Sequence, residues 1–365
     1  MKNKSETTSE LRLVAWEITR SCNLNCVHCR AAAERGPYPG ELSTERCRGL
    51  LEEIRAVGSP IVILTGGEPL LRRDVRRDVF SLAAYGTELG LRMVMATNGT
   101  LLNPSEVKKI RESGIKRVSI SLDGPTAKEH DAFRKVEGAF ASAIAGIELL
   151  KKEGIPFQIN TTITRHNAHL AEKMLRLAEG LGATAHHLFL LVPTGRAKEM
   201  VKQEIEAAEY EKLLHWFYEM RDKVSLHLKA TCAPHYYRIL RQEAHARGEK
   251  VTFETYGLDA VTRGCLGGTS FSFIAYDGVV QPCGYLELKC GDVTKESFKK
   301  VWETSSVFGR LRDFSQYEVK CGRCQYIRVC GGCRARAFEA TGNFLAEEPL
   351  CVYEPSKRST VGQPG

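Results

Sequence analysis

The sequence lacks the features of a membrane or exported protein. It contains no run of about 18 apolar residues, which is roughly the length that a helix needs to cross a bilayer. Its first ten residues are polar, whereas a signal peptide carries an apolar stretch near the N-terminus. We therefore expect no membrane segment and a cytoplasmic location.

The chain also lacks a polybasic block, a low-complexity tract and a repeat of solenoid length. Its net charge of +8 is spread over 365 residues, and a solvated surface explains such a charge as well as an anionic partner does. We expect no nucleic-acid partner. The length and the ordinary share of hydrophobic residues, 43%, favour one large domain with an appendage.

Cysteine is the residue type in excess, with 13 copies. Because the cytosol keeps thiols reduced, cysteines at short spacings there indicate metal binding rather than disulfides. Two groups have such spacings: Cys22, Cys26 and Cys29 near the front, and Cys321, Cys324, Cys330 and Cys333 near the end.

Short apolar segments alternate with helical segments in the first two thirds of the chain. We predict strands at 11–18, 61–64, 93–96, 118–122, 157–163 and 187–192, with helices between them, one of them capped by Asn103. This alternation predicts an α/β fold with a parallel sheet. Six units are two short of a closed eight-unit barrel, so we expect an open partial barrel with its site at the strand C-termini.

The alternation fails from about Val224, where glycine, cysteine and short β segments become frequent. We therefore predict three parts: a polar segment at 1–10, the partial barrel at 11–223 and a small cysteine-rich domain at 224–365.

The front cysteines have the spacing Cys22-x3-Cys26-x2-Cys29 in a loop directly after the first strand. Three thiolates on a 4Fe–4S cluster leave one iron free for another ligand. A structural zinc site is the alternative, and it needs a fourth ligand such as His28.

The second strand runs into Gly66, Gly67, Glu68 and Pro69. Two glycines let the backbone approach a ligand closely, and a glutamate beside them can bind an ammonium group. Gly-Gly-Glu alone is a common turn. At the end of the strand that follows the cysteine loop, it is far more specific.

These two motifs together resemble the radical S-adenosylmethionine (SAM) superfamily, and the six predicted units are similar to its partial barrel. The resemblance implies that the amine and carboxylate of S-adenosylmethionine chelate the free iron of a 4Fe–4S cluster. It implies reductive cleavage of this cofactor to methionine and a 5′-deoxyadenosyl radical, which abstracts hydrogen from the substrate.

The resemblance also implies roles for single residues. The turn from Gly66 to Pro69 is expected to hold the methionyl amine, and Arg134 to pair with the methionyl carboxylate, unless it is a solvated helix charge. His28 takes the place of an aromatic residue that stacks beside the adenine. Polar contacts to the cofactor are expected from Asn98, Ser121 and Asp123.

The C-terminal cysteines resemble the auxiliary-cluster domain called SPASM, which implies one or two auxiliary 4Fe–4S clusters. One cluster is expected on Cys321, Cys324, Cys330 and Cys351, and Cys265, Cys283 and Cys333 are expected to be three ligands of another. The fourth ligand of the second cluster stays open between Cys232, Cys290 and none. Two residues separate Cys330 from Cys333, where the family usually has three. A zinc ribbon on Cys321, Cys324, Cys330 and Cys333 is the alternative, and Cys47 is expected to be an ordinary buried cysteine.

Three local stretches narrow the resemblance: Trp16 to Cys22, Cys29 to Ala33, and Cys330 to Phe338. With 191–196 and 347–351 they resemble radical enzymes of tetrapyrrole modification in the siroheme-dependent route to heme, most closely the heme b synthases. This implies oxidative decarboxylation of two propionates of Fe-coproporphyrin III to vinyl groups. An auxiliary cluster is then a plausible acceptor for the electron released.

The partners expected from this resemblance are an anionic iron porphyrin and a low-potential electron donor such as ferredoxin or flavodoxin. Arginine suits carboxylates, and the candidate substrate clamps are Arg30, Arg165, Arg196, Arg334 and Arg336. His186 and His187 are expected to pack rather than to bind iron. The arginines at 72, 73, 76 and 77 are expected on a solvated helix face.

Three alternatives remain. One is a sibling tetrapyrrole enzyme, acting on didecarboxysiroheme or in d1-type heme maturation. Another is a peptide- or protein-modifying enzyme with the same C-terminal domain. The last is a non-catalytic zinc module that contacts nucleic acid.

Overall fold

The computed structural model describes residues 9–72 and 79–356. Within them, ten strands form one sheet in the order β10-β9-β8-β1-β2-β3-β4-β5-β6-β7. From β8 to β7, neighbouring strands are parallel. The strands are β1 Leu13–Thr19, β2 Ile61–Gly66, β3 Arg92–Thr97, β4 Val118–Ser121, β5 Phe157–Ile163, β6 Ala185–Leu190, β7 His227–Thr231, β8 Phe271–Ile274, β9 Val279–Gln281 and β10 Gly291–Asp292.

Helices connect most of the parallel strands and pack their apolar faces on the sheet, where β1 and the helix that follows it share one continuous core. The α-helices are α1 Thr44–Val57, α2 Val79–Glu88, α3 Pro104–Glu112, α4 Ala127–Arg134, α5 Ala139–Lys152, α6 Ala171–Gly180, α7 Ala207–Glu219, α8 His235–Ala246, α9 Phe253–Tyr256, α10 Leu258–Val261, α11 Phe298–Thr304, α12 Ser306–Arg312, α13 Val319–Arg323 and α14 Arg334–Thr341.

The α/β class and the open parallel sheet are as predicted from the alternation of segments. Asn103 caps α3, because its side-chain oxygen accepts hydrogen bonds from the N–H groups of Ser105 (2.9 Å) and Glu106 (3.1 Å). Such a cap satisfies N–H groups that have no partner inside the helix. The predicted segment 1–10 lies outside the described residues except for its last two.

Two parallel strands, β7 and β8, lie beyond the six predicted units. The strand β7 pairs with β6, and α8 follows it, so this seventh unit begins just beyond the predicted boundary at 224. Its sequence alternates, with Leu228 and Ala230 buried and His227 exposed. A strand with polar residues at every second position has no continuous apolar run, which is the signal that identified the other six.

The C-terminal part returns to the opposite edge of the parallel sheet. The strand β8 pairs in parallel with β1, with Leu13 beside Phe271. The chain after β8 therefore lies next to the chain that enters the front cysteine loop. As a result, both cysteine regions lie near the carboxyl ends of the parallel strands.

Candidate active site at the strand ends

The glycine pair after β2 packs on the chain that enters the cysteine loop. A Cβ atom at Gly66 would collide with the carbonyl oxygen of Thr19, and one at Gly67 with the backbone of Arg20 and Ser21. The N–H of Gly67 donates to Thr19 O (2.8 Å). We expected the two glycines to let the backbone approach a ligand. They instead let it approach the chain that enters the cysteine loop, and for this reason only glycine fits here.

Glu68 is fully buried at the end of β2. Its carboxylate accepts hydrogen bonds from the hydroxyl of Thr97 (2.7 Å) and from the N–H of Asn98 (2.8 Å). Burial raises its pKa to about 7, although these hydrogen bonds favour the charged form. Glu68 therefore ties the end of β2 to the end of β3, and its predicted role toward the methionyl amine stays a prediction.

Asn98 joins β3 to the cysteine loop. Its amide nitrogen donates to Asn23 Oδ1 (2.9 Å), and Asn23 in turn donates to the hydroxyl of Thr100 (2.8 Å). Asn23 and Thr100 were not singled out in the sequence. Nothing in the local pattern marks them, because their contact spans more than 70 residues of chain.

Each of the three front sulfurs accepts one N–H hydrogen bond. The donors are the N–H of Leu24 to Cys22 Sγ (3.5 Å), the N–H of Ala33 to Cys29 Sγ (3.4 Å), and Arg134 Nη1 to Cys26 Sγ (3.5 Å). Hydrogen bonds to sulfur favour the thiolate, which is the form that binds iron. The residues present therefore fit a three-thiolate iron–sulfur site.

Arg134 is only 7% exposed, so the alternative of a solvated helix charge is wrong. It forms an ion pair with the buried carboxylate of Asp123. Burial alone would raise the pKa of Asp123, but the charge of Arg134 outweighs it and holds this pKa below its usual value. Ser121, the last residue of β4, lies beside Asn160 of β5.

His28 stacks on Phe133, with ring centroids 4.4 Å apart. Its Nε2 lies 3.7 Å from Asp123 Oδ2. Burial lowers the pKa of His28 to about 4, so the ring is neutral and can act as a stacking surface. Its predicted place beside an adenine is not tested by these contacts.

The loop after β6 braces the cysteine loop from the other side. Arg196 donates through Nε to Cys26 O and through Nη1 to Ala33 O (both 2.9 Å). Its backbone N–H donates to Cys29 O (3.0 Å). Arg196 was proposed as a substrate clamp, but the structure gives it a structural role in holding the loop.

Arg72 is 3% exposed, so its predicted place on a solvated face is wrong. Its guanidinium donates to Ile18 O (2.5 Å) and Leu42 O (2.7 Å), and Nη2 lies 3.3 Å from Cys47 Sγ. Cys47 is buried, as expected. The other three arginines of that group, at 73, 76 and 77, lie outside the described residues.

At the C-terminal end, one cavity is lined by Cys321, Cys324, Cys330 and Cys351. The N–H of Gly332 donates to Cys330 Sγ, and Arg334 Nη2 donates to Cys321 Sγ (both 3.4 Å). The lining includes Cys351 and not Cys333, which is the composition predicted for a cluster and not the one predicted for a zinc ribbon.

A buried ionic network supports this cavity. Glu348 forms ion pairs with His235 and with Arg336 Nη1 (3.1 Å). Although burial alone would raise the pKa of Glu348, the charges of His235 and Arg336 lower it to about 2. His235 also lies beside Cys351, and although burial opposes the effect, it lowers the pKa of that thiol. His235 was not singled out in the sequence.

Cys265, Cys283 and Cys333, the three cysteines expected to share a second cluster, lie near one another. The N–H of Cys265 donates to Cys330 O (3.0 Å), which places it beside the loop that carries Cys333. After burial, Cys265 and Cys333 are the strongest influences that raise the pKa of Cys283.

In residues 9–72 and 79–356, no three Cys, His, Asp or Glu side chains surround a position for a single metal ion. A four-iron cluster takes each cysteine at a different iron, so separate sulfurs around a cavity are the arrangement it needs.

Most of the proposed arginine clamps already have partners within the protein. Arg334 donates to Phe344 O and Ala346 O, Arg336 is in the buried network, and the exposed Arg165 pairs with Glu206. The contacts of Arg30 are longer: its guanidinium lies 4.4 Å above the ring of Phe273 and 3.7 Å from Glu17, between the front loop and β8, and its side chain is 19% exposed.

A three-sulfur loop at the strand ends, with a second cysteine region beside it, defines an iron–sulfur enzyme of the SAM radical class. Comparison with known families agrees with this class. Residues 16–178 match the radical SAM superfamily, and residues 265–334 match the iron–sulfur cluster-binding SPASM domain.

Two relatives differ in their sequence identity to this chain. An AdoMet-dependent heme synthase of Nitratidesulfovibrio vulgaris is 54% identical over 95% of this chain and 93% of its own. An Fe-coproporphyrin III synthase of Methanosarcina barkeri is 31% identical over 93% of this chain and 87% of its own. The chain belongs to the radical SAM superfamily, in the family of the AdoMet-dependent heme synthases.

The fold has a match among solved structures. SuiB of Streptococcus suis bound to S-adenosylmethionine superposes with a TM-score of 0.73 at 17% identity, over 94% of this chain and 78% of SuiB. The family matches, and not this likeness of fold, show that the protein is an enzyme that uses S-adenosylmethionine and 4Fe–4S clusters. In the part of the chain that the structure describes, no helix is long and apolar enough to span a bilayer.

Proposed function

We propose that this enzyme oxidatively decarboxylates two propionate side chains of Fe-coproporphyrin III to vinyl groups, giving heme b. The observation that carries the proposal is the 54% identity to a heme synthase along nearly the whole of both chains. The identity to an Fe-coproporphyrin III synthase is 31%. Since both comparisons span the barrel and the C-terminal cysteines, the difference between them reflects more than a shared cofactor.

When bound, the front cluster supplies the electron that cleaves S-adenosylmethionine to the 5′-deoxyadenosyl radical. The residues that would hold this cluster are Cys22, Cys26 and Cys29, with Gly66, Gly67, Glu68, Pro69, Asn98, Ser121, Asp123, Arg134 and His28 as the cofactor surroundings. Asp123 and Arg134 position one another, and Glu68 aligns the ends of β2 and β3.

Each propionate must lose one hydrogen atom from its β-carbon, then carbon dioxide and one electron. Arg30 is suited to orient a propionate, because its fork of donors matches a carboxylate. It directly follows Cys29, so a carboxylate bound there lies close to the front loop. Packing over Phe273 keeps the guanidinium in place.

The released electron needs an acceptor near the substrate. The four cysteines of the C-terminal cavity would hold a redox centre for this role, and Arg334 and His235 stabilise negative charge on two of the sulfurs. A low-potential donor such as ferredoxin or flavodoxin is expected to reduce the front site.

The test is an anaerobic incubation of the reconstituted enzyme with S-adenosylmethionine, a reductant and Fe-coproporphyrin III, followed by mass spectrometry. We expect two successive losses of the elements of formic acid from the porphyrin, together with 5′-deoxyadenosine. Deoxyadenosine without any change in the porphyrin would contradict the substrate and leave the radical chemistry intact. Turnover of didecarboxysiroheme instead would indicate a sibling reaction.

The electron-acceptor role has its own test. Cys324→Ala should still cleave S-adenosylmethionine but should form no vinyl product, because the electron has no acceptor. Cys290→Ala is the matched control and should keep both activities, since Cys290 packs against the barrel core. Full product formation by Cys324→Ala would rule out this role.

A further inference from the structure

The second auxiliary group has three predicted ligands, and its fourth was undecided between Cys232, Cys290 and none. In the structure, Cys232 and Cys290 pack against different groups of residues. From the surroundings described below, we propose that Cys232 is the fourth protein ligand of an iron–sulfur cluster whose other ligands are Cys265, Cys283 and Cys333. The inference rests on the auxiliary-cluster assignment and is independent of which substrate the enzyme uses.

Cys232 is the first residue after β7, at the carboxyl edge of the parallel sheet where the other functional residues lie. The chain turns sharply there, with Cys232 at a φ of 55°, and α8 begins three residues later. The strand β7 therefore places the thiol of Cys232 at this edge of the sheet.

Cys232 packs with Cys283 against the apolar cluster that contains Cys333. The backbone N–H of Cys265 donates to the carbonyl oxygen of Cys330 (3.0 Å), three residues before Cys333. Four cysteines from four separate segments thus lie in one region, where Cys333 is buried and the other three are partly buried. A 4Fe–4S cluster takes four cysteine ligands, and four cysteines in one region supply that number.

Two contacts hold Cys232 in this position. Arg336 Nη2 donates to the carbonyl oxygen of Cys232 (3.2 Å), and Arg336 lies three residues after Cys333. On the other side, a Cβ atom at Gly264 would collide with Pro234 and with the carbonyl oxygen of Cys330. Close packing at Gly264 brings the segment of Cys265 against the segment that follows Cys232.

Cys290 has a different environment. Its Sγ lies 3.7 Å from Leu288 O, and its pKa is influenced by burial, Ser305 and Arg312, with no cysteine among the causes. It packs against the main barrel core and not against the cluster of Cys333. Cys290 is therefore the matched control for Cys232.

The test compares Cys232→Ala with Cys265→Ala and Cys290→Ala after anaerobic reconstitution, by iron and sulfide content and by electron paramagnetic resonance of the reduced proteins. Three four-iron clusters correspond to about 12 iron atoms per chain. We expect Cys232→Ala to behave as Cys265→Ala, with about one third of the iron lost or one reduced-cluster signal altered. Cys290→Ala should match the parent protein.

Cys232→Ser provides a second variant that perturbs packing less. Serine oxygen can replace the thiolate, so the iron content should stay near the parental value while the signal of that cluster shifts. If Cys232→Ala and Cys232→Ser are indistinguishable from Cys290→Ala, the proposal is wrong. Cys232 is then not the fourth ligand of that cluster. A parental iron content together with an unchanged signal in Cys265→Ala would equally overturn the proposal. Neither result depends on turnover of a porphyrin.

Discussion

N–H groups donate to all three sulfurs of the front loop and to two sulfurs of the C-terminal cavity, those of Cys321 and Cys330. In the front loop two of the three donors are backbone groups, and the loop is bonded to the ends of β1, β2 and β3. In the C-terminal cavity the surroundings are charged side chains, with Glu348 between His235 and Arg336. The front loop is thus shaped by the barrel, whereas the cavity is shaped by a network of buried charges.

This difference has a consequence for what each region tolerates. Backbone hydrogen bonds at the strand ends form whenever the barrel folds, and the side chains of Arg134, Arg196 and Asn98 add to them in the front loop. A buried ionic network is stable only when every member is present, since a partner left alone is an uncompensated buried charge.

The largest expected effect is in the front loop. Cys26→Ala removes a cluster ligand and the sulfur that Arg134 contacts, so deoxyadenosine formation should fall to background. Iron in the C-terminal region should remain, which iron analysis can measure. Deoxyadenosine formation at the parental rate would contradict the assignment, and Cys290→Ala is the control.

In the C-terminal region, Glu348→Gln should lower the free energy of unfolding by about 3 kcal/mol, because it leaves Arg336 and His235 without their buried partner. Denaturant unfolding of the anaerobic protein measures this. Glu148→Gln breaks an exposed ion pair with Lys151 and should change stability little. Equal losses of unfolding free energy in the two variants would contradict a stabilising role of the buried network.

Between the two regions, Arg30→Ala should raise the KM for Fe-coproporphyrin III about 10- to 150-fold, since a charged hydrogen bond contributes about 1.5–3 kcal/mol. Cofactor cleavage should persist, because the Arg30 side chain contacts Glu17 and Phe273, and neither is predicted to bind the cofactor. Arg165→Ala is the control, as Arg165 is exposed and pairs with Glu206. An unchanged KM in Arg30→Ala would remove the proposed clamp.

The smallest expected effect compares the two arginines that donate to sulfur. Arg134→Lys and Arg334→Lys each remove a guanidinium hydrogen bond, to Cys26 and Cys321 respectively. Each should lower the reduction potential of its own cluster, because hydrogen bonds to sulfur stabilise the reduced state. Redox titration followed by electron paramagnetic resonance checks this, and a shift of both clusters by one substitution would refute the separation of the regions.

Much of the molecule was predictable because its signals are local. The strand β5 at 157–163 and the cap at Asn103 follow from patterns only a few residues long, and so do the two cysteine motifs. The strand β7 was missed because one of its faces carries polar residues. The burial of Arg72 and Arg134 was also not predictable, since Arg72 donates to Ile18 and Leu42, 54 and 30 residues away, and Arg134 donates to Cys26, 108 residues away.

The sequence by itself determined the class of chemistry, because the number and spacing of cysteines limit which metal centre they can hold. It also determined the order of strands and helices in the first six units, through periodic apolar residues. Only the tertiary structure decided which arginines serve the protein rather than a ligand, and which of two spare cysteines lies among the other thiols. Those choices depend on distances between remote segments, and such distances exist only once the sheet has brought both cysteine regions to one edge.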